Sequence, residues 1–151
     1  GLVKTRFHGD LHLGQVLVAQ DDFIIVDFEG EPGRSLEERR AKSSALRDVA
    51  GMLRSFSYAA HAAALRREPG AGDVAAGIEA LAAWEREAAR HFLEGYTRVA
   101  GDPASANPET FRALLDLFLI EKALYELRYE IANRPDWLEI PLRGLLELAK
   151  T

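Results

Sequence analysis

The sequence of 151 residues contains no cysteine. This absence excludes disulfide bonds and thiolate metal sites, and it fits the reducing cytoplasm, where we expect this protein to act. The sequence also shows no secretory signal pattern, and no apolar run approaches the length of about 18 residues that a membrane-spanning helix needs. We therefore expect a cytoplasmic protein that has no membrane as a partner.

The sequence also lacks a concentrated block of positive charge. It carries 19 basic and 24 acidic residues, which gives a net charge of −5. Nucleic acids and anionic membranes attract proteins through basic blocks, so neither is an expected partner. Hydrophobic residues at 48% and charged residues at 28% are ordinary for a globular protein, and the length indicates one domain with a real core.

Two acidic stretches near the beginning of the chain carry the most information. Residues 8–15 read His-Gly-Asp-Leu-His-Leu-Gly-Gln, and residues 25–30 read Ile-Val-Asp-Phe-Glu-Gly. Residues 16–26 between them form an apolar run, a polar turn and a second apolar run, a pattern that predicts a β-hairpin. The outer ends of a hairpin lie side by side. The two acidic stretches are therefore expected to meet.

The side chains that meet there are Asp10, Gln15, Asp27 and Glu29. Carboxylates brought together repel unless a cation lies among them, and Mg²⁺ prefers one or two carboxylates together with phosphate oxygens. Asp10 and Gln15 are five positions apart, as are the Asp and Asn of the H-x-D-x-x-x-x-N loop of phosphotransferases. In that loop the Asp accepts the proton of the substrate hydroxyl, and the amide side chain and a second Asp hold the metal.

This spacing predicts roles for all four side chains. Asp10 is the expected catalytic base, Gln15 and Asp27 are expected metal ligands, and Glu29 is a possible further ligand. Gln15 is one methylene longer than the usual Asn but keeps its amide oxygen. The alternative is a solvated hairpin with acids at its ends, since short motifs often match by chance. Three residues in the right order, with apolar strands between them, favour phosphoryl transfer.

The rest of the chain is expected to be helical. Ser35 with Glu38 predicts a capping box, and Asn107 before Pro108 predicts a helix start. Helical periodicity is found in residues 44–67, 73–99, 108–133 and 141–149. We therefore expect a mainly α fold with one short β-hairpin that carries the catalytic and metal loops.

The helix predicted at residues 108–133 has two contrasting faces. One face, predicted to meet the core, consists of Ala113, Ile120, Leu124, Leu127 and Ile131. The opposite face consists of Lys122, Tyr125, Glu126 and Tyr129. That second face is expected to be exposed or to line a cleft, where tyrosine rings suit the faces and hydroxyls of a sugar. The alternative is that both rings pack against the preceding helix.

A family resemblance extends over nearly the whole chain. It is carried by residues 8–15, 27–32, 46–56, 121–130 and 133–144. In these motifs the sequence resembles the aminoglycoside-phosphotransferase-like branch of the kinase superfamily and, within it, the maltokinase family. The resemblance implies the helical C-terminal lobe of a protein-kinase-like fold, with ATP and Mg²⁺ as cofactors. It also implies phosphorylation of maltose to maltose 1-phosphate in trehalose and α-glucan metabolism, with trehalose synthase as a possible fusion or complex partner.

The resemblance also implies roles for individual residues. Lys122, Tyr125 and Tyr129 would contact the disaccharide, and His8 would either position the sugar or only hold its loop. Asp48 would brace the catalytic loop by accepting hydrogen bonds from its backbone. The alternative for Asp48 is a surface ion pair with Arg47 or Arg54, a kind of pair that contributes little to stability.

The domain organisation follows from the same motifs. Residues 1–34 are expected to form the catalytic loop, hairpin and metal loop, and residues 35–151 a helical bundle. No G-x-G-x-x-G pattern is present, so the nucleotide-binding N-terminal lobe of a kinase is expected to be missing from these 151 residues. The isolated chain is then expected to be inactive.

Two other functions stay open. One is a glucosamine kinase or another sugar kinase of the same superfamily, for which we expect an added carboxylate beside residues 122–129 instead of Lys122. The other is a non-catalytic helical module that binds a sugar or a protein.

Overall fold

The computed structural model describes residues 4–66, 73–100 and 107–150. It confirms the predicted fold class, because the described residues form helices and one two-stranded sheet. The elements are β1 (Val16–Ala19), β2 (Asp22–Ile25), α1 (Leu36–Arg40), α2 (Leu46–Leu65), α3 (Val74–Ala100), α4 (Pro108–Asn133) and α5 (Glu139–Leu148). Among these residues, none of the helices has both the length and the apolar character that crossing a membrane requires.

The hairpin forms as the sequence predicts. β1 and β2 are antiparallel, and Gln20 and Asp21 at the turn both have positive φ, 49° and 62°. Positive φ at both turn residues matches the right-handed twist of the strands, which keeps the hairpin tight. The Val26 N–H donates to the carbonyl of Gln15 at 3.0 Å, so the segments that precede and follow the hairpin lie side by side.

Two helix starts also form as predicted. The Ser35 hydroxyl accepts from the N–H of Glu38 at 3.3 Å, and the Glu38 carboxylate accepts from the N–H of Ser35 at 2.8 Å. The Asn107 side chain accepts from the N–H of Thr110 at 2.9 Å. These bonds satisfy N–H groups that a first helical turn leaves without intrahelical partners. The last helix begins at Glu139, two residues before the predicted start.

Helix α2 is the centre of the bundle and contacts α3, α4 and α5. Its apolar residues form a buried cluster with one residue of α4: Leu46, Val49, Ala50 and Leu115. Partly buried side chains of α3 and α4 pack around this cluster, among them Phe92 and Phe118. The core therefore lies directly beneath the start of α2, where the loop of residues 8–15 is attached.

The predicted core face of α4 is wrong. Ala113, Ile120, Leu124 and Ile131 are exposed, and Leu127 is half-buried. The buried residues of α4 are Leu115, Ala123, Glu126 and Glu130. Glu126 and Glu130 can be buried because cations and hydroxyls pair with their carboxylates. Hydrophobic periodicity treats every glutamate as a surface residue, so it places the core on the opposite side of this helix.

Gly144 of α5 is a packing position that a side chain should disrupt. A Cβ there would overlap the guanidinium of Arg54, which donates to the Ile140 carbonyl at 3.2 Å. We expect Gly144→Ala to lower the free energy of unfolding by about 1–3 kcal/mol, measured by urea denaturation, because overpacking forces buried side chains to move.

Gly95 of α3 is the matched control, since a Cβ at this helical position meets nothing within 4 Å. Gly95→Ala should raise the free energy of unfolding by about 0.5–1 kcal/mol through helix propensity. Equal effects of the two substitutions would contradict the close approach at Gly144.

Candidate active site

The loop of residues 8–15 is fixed to α2 by a carboxylate. Asp48, in the first turn of α2, accepts from the backbone N–H of His8 at 2.6 Å and of Gly9 at 2.9 Å. A Cβ at Gly51 would overlap the carbonyl of Leu11, so the helix and the loop are in direct contact. Asp48 therefore lies where the resemblance expects a brace.

The alternative partners considered for Asp48 are occupied elsewhere. Arg47 donates to Glu121 at 2.7 Å, and Arg54 donates to Glu126 at 2.9 Å. Both of these carboxylates belong to α4, so the two arginines tie α2 to α4. These bonds do not include the alternative surface ion pair between Asp48 and either arginine.

His8 ties the same loop to the end of the hairpin. It is buried, with 6% of its surface exposed. Its Nδ1 lies 3.3 Å from the N–H of Asp10, which can only donate, so Nδ1 accepts and the proton is on Nε2. Nε2 then donates to the carbonyl of Val26 at 2.8 Å. Because both ring nitrogens are engaged by the main chain, the geometry favours the loop-holding role of His8 over contact with a sugar.

The predicted metal ligands are only partly brought together. The Gln15 amide nitrogen donates to the Asp27 carboxylate at 2.9 Å; Asp27 is exposed and Gln15 is half-buried. Glu29 is exposed, and its backbone carbonyl accepts from Arg39. Within residues 4–66, 73–100 and 107–150, no three His, Cys, Asp or Glu side chains form a metal-binding group.

The donor set of Gln15 and Asp27 nevertheless fits Mg²⁺. Both side chains carry oxygen ligands, and Mg²⁺ uses few protein ligands when phosphates and waters complete its coordination. The Gln15 amide must turn to present its oxygen, and the two ends of an amide are nearly alike in shape. The site therefore has the chemistry for a metal that is held chiefly by a nucleotide.

Asp10 lies beside a lysine from α4. The Lys122 ammonium is 3.4 Å from Oδ1 of Asp10 and 3.1 Å from Oε1 of Glu31. We call Asp10, Lys122 and Glu31 the ammonium triad. Burial acts to lower the pKa of Lys122, but the charges of Glu31 and Asp10 outweigh it and leave the pKa raised. Lys122 is therefore cationic at neutral pH.

The sequence pattern does not single out Glu31. The signal that points to it is local: it is the third acid in the stretch of residues 27–32, two positions after Glu29. In the structure Glu31 is buried, with 5% of its surface exposed, whereas Glu29 is exposed. Its partners are Arg34, at 2.9 Å, and Lys122, so Glu31 connects the metal loop to α4.

A cleft of about 810 Å³ opens next to Asp10. Tyr125 and Tyr129 of α4 form one wall and are 38% and 45% exposed, so the interpretation that these rings line a cleft fits better than burial against α3. The Lys122 ammonium lies over the Tyr125 ring, 4.9 Å from its centre, and Arg134 over the Tyr129 ring, at 5.4 Å. The size is within the range of small-molecule sites.

Buried carboxylates form the floor of this cleft. Glu126 pairs with Arg54, and Glu130 accepts from the Tyr58 hydroxyl at 3.0 Å and from Arg134 at 2.7 Å. Burial, followed by the charges of Glu126 and Glu130, raises the pKa of Tyr58 far above its ordinary value, so this hydroxyl stays a donor. The floor is therefore polar, and each of its carboxylates has a cationic partner.

The fold and the loop geometry together define a structural class, namely a helical bundle with one β-hairpin that has an acidic loop at each end. Solved glucosamine kinases share this fold. One in crystal form A matches with a TM-score of 0.76 and 28% identity over 96% of this chain and 34% of its own. One in complex with glucosamine, ADP and inorganic phosphate matches with a TM-score of 0.75 and 28% identity, over 93% of this chain and 32% of its own.

Sequence comparison gives relatives with the same name. The chain is 33% identical over 144 residues to the glucosamine kinase of Mycolicibacterium smegmatis, and 30% identical over 141 residues to that of Streptacidiphilus jiangxiensis. These matches cover 93% of this chain but 33% and 31% of the relatives. No protein-family model matches the chain. None of these relatives is a maltokinase, so the comparisons do not support the narrower part of the resemblance.

Proposed function

We propose that this chain is the acceptor-binding and catalytic lobe of an ATP-dependent sugar kinase, and that its acceptor is glucosamine. The observation that carries the proposal is the position of Asp10, at the edge of a tyrosine-walled cleft and on the loop that also holds Gln15 against Asp27. The similarity in sequence and fold to glucosamine kinases supports both the reaction and the acceptor.

Each part of the site has a role in this reaction. Asp10 orients a sugar hydroxyl and accepts its proton, while Asp48 and His8 hold the backbone on which Asp10 lies. Gln15 and Asp27, with Glu29 as a possible further ligand, would hold Mg²⁺, which neutralises charge on the phosphates. Phosphoryl transfer depends mainly on such positioning and electrostatic stabilisation.

The charges of the cleft do not by themselves separate an amino sugar from a neutral sugar. Three carboxylates line the cleft, Asp10, Glu126 and Glu130, and each has a cation beside it: Lys122, Arg54 and Arg134, respectively. Lys122 lies where an added carboxylate was expected for an amino-sugar kinase. The proposal of glucosamine as the acceptor is therefore supported by the similarity to glucosamine kinases and not by the charge of the cleft.

Maltose is the second candidate, favoured by the two tyrosines. Tyr125 and Tyr129 are four residues apart on α4, about 6 Å along a helix, so they offer two neighbouring platforms for two sugar rings. The maltose 1-phosphate product, the link to trehalose metabolism and trehalose synthase as a partner rest on the maltokinase resemblance alone.

The nucleotide is assigned to a part of the enzyme outside these residues. The chain spans about a third of the length of the curated relatives that it matches. One similar structure holds ADP together with glucosamine. We propose that a nucleotide-binding lobe completes the site in the intact enzyme and that the isolated chain has no turnover.

The test is ADP release by the intact enzyme with glucosamine, glucose and maltose as acceptors. We expect kcat/KM for glucosamine to exceed the values for glucose and maltose at least about tenfold, since a recognised charged group is worth 1.5–3 kcal/mol. A preference for maltose would replace glucosamine as the proposed acceptor and would leave the proposed reaction, phosphorylation of a sugar, unchanged. No ADP release with any sugar would contradict the sugar-kinase proposal, and turnover by the isolated chain would contradict the assignment of the lobes.

A further inference from the structure

The two contacts of Lys122 in the ammonium triad are unequal. The 3.1 Å distance from its ammonium to Glu31 lies within the usual range for an N–H···O hydrogen bond, whereas the 3.4 Å distance to Asp10 lies beyond it. Lys122 is three-quarters buried, so its ammonium has little water to compensate for a lost carboxylate. Glu31 therefore holds the ammonium near Asp10 without letting it bind Asp10 closely.

Glu31 is suited to this task because it is itself fixed and charged. Its other carboxylate oxygen, Oε2, accepts from Nε of Arg34 at 2.9 Å. Burial acts to raise the pKa of Glu31, but Lys122 and Arg34 outweigh burial and leave the pKa lowered. The carboxylate is therefore ionised at neutral pH and cannot move without breaking these bonds.

We infer that Glu31 is a positioning residue for Asp10, acting through the ammonium that the two carboxylates share. Glu31 keeps Lys122 close enough to orient Oδ1 of Asp10 but too far away to occupy the carboxylate. Asp10 then remains able to accept a proton from a hydroxyl in the cleft. This role rests on the proposed function, in which Asp10 is the base.

Removing the charge of Glu31 should release Lys122 towards Asp10. An unshared ammonium forms a charge-assisted bond of about 2.7–2.9 Å, which competes with the substrate hydroxyl. In the intact enzyme we expect Glu31→Gln to lower kcat about tenfold or more, with KM for the sugar changed less than about threefold, because only the reacting group is affected. Glu31→Asp, which keeps the charge, should retain most of kcat.

The decisive comparison repeats the substitution without the lysine. In a Lys122→Met background, Glu31→Gln should change kcat less than about threefold, because nothing remains to occupy Asp10. An equal loss of kcat in both backgrounds would overturn the inference, since it would show that Glu31 acts without Lys122. A rise in KM without a fall in kcat for Glu31→Gln would overturn the inference as well, because it would show that Glu31 and Lys122 act by binding the sugar.

Glu37→Gln is the matched control. Glu37 is exposed in the first turn of α1 and lies outside the ammonium triad, so the same loss of one negative charge should leave kcat within about twofold. A loss of kcat like that of Glu31→Gln would mean that the loss of any nearby acid affects catalysis, which contradicts a specific route through Lys122.

A second measurement needs no turnover. In urea unfolding of the 151-residue chain at pH 7, the effects of Glu31→Gln and Lys122→Met should be strongly non-additive, because the two groups are partners. Additive effects would overturn the inference. If the wild-type enzyme phosphorylates none of the sugars, the proposed function and the positioning role both fail, whereas non-additive unfolding would then leave Glu31 as a structural partner of Lys122 alone.

Discussion

Asp10→Asn is expected to lower kcat of the intact enzyme about 10³-fold, within the range of 10²–10⁴ that a positioned base contributes. The amide has the shape of the carboxylate, so the loop, its bonds to Asp48 and the cleft should remain. What it loses is the ability to accept the proton of the hydroxyl. KM for the sugar should change little, because the groups that bind the rest of the ring are untouched. Steady-state ADP release measures both constants.

Asp22→Asn is the matched control. Asp22 lies at the hairpin turn, is exposed, and accepts only a local bond from the N–H of Phe23 at 2.7 Å among the contacts described. Its kcat should equal that of the wild type. An Asp10→Asn enzyme that keeps more than about a tenth of kcat would remove Asp10 from the role of base.

The features that the sequence predicted correctly depend on neighbours along the chain. The hairpin follows from two apolar runs around a polar turn, and the caps at Ser35 and Asn107 depend on residues three positions away. The approach of Gln15 to Asp27 follows from the hairpin itself. These signals are local, so pattern and turn chemistry suffice to find them.

The features that the sequence did not predict depend on pairs distant in the chain. Glu31 and Lys122 are 91 positions apart, and Arg54 and Glu126 are 72 apart. No periodic pattern encodes such pairs. Hydrophobicity therefore assigned α4 the wrong core face, since it treats Glu126 as a surface residue when Arg54 makes its burial possible.

The buried pair of Arg54 and Glu126 carries the largest expected effect on stability. The side chains are 6% and 9% exposed, and they join α2 to α4 at 2.8 Å. Burial raises the pKa of Glu126 despite the opposing charge of Arg54, which shows that desolvation outweighs the attraction. Removing one partner leaves the other charge buried and unpaired, which is far worse than removing both.

We therefore expect Arg54→Met and Glu126→Leu each to lower the free energy of unfolding by about 3–5 kcal/mol at pH 7. The double variant should recover most of this loss, because two apolar side chains of similar volume then fill the same space. A deficit of about 1 kcal/mol should remain from the lost hydrogen bond between Arg54 and the Ile140 carbonyl. Urea denaturation of the 151-residue chain measures all three variants.

The exposed pair of Arg90 and Glu94 on α3 is the control for this cycle. Its N···O distance of 2.7 Å is close to that of the buried pair, but both side chains lie in water, so Arg90→Met should leave the unfolding midpoint nearly unchanged. A double variant of Arg54 and Glu126 that loses the sum of the single effects would show that the two side chains act independently, which contradicts a coupled buried pair. Recovery of stability in the double variant would show instead that the pair adds little net stability over two apolar side chains, because its attraction only offsets the cost of burying both charges.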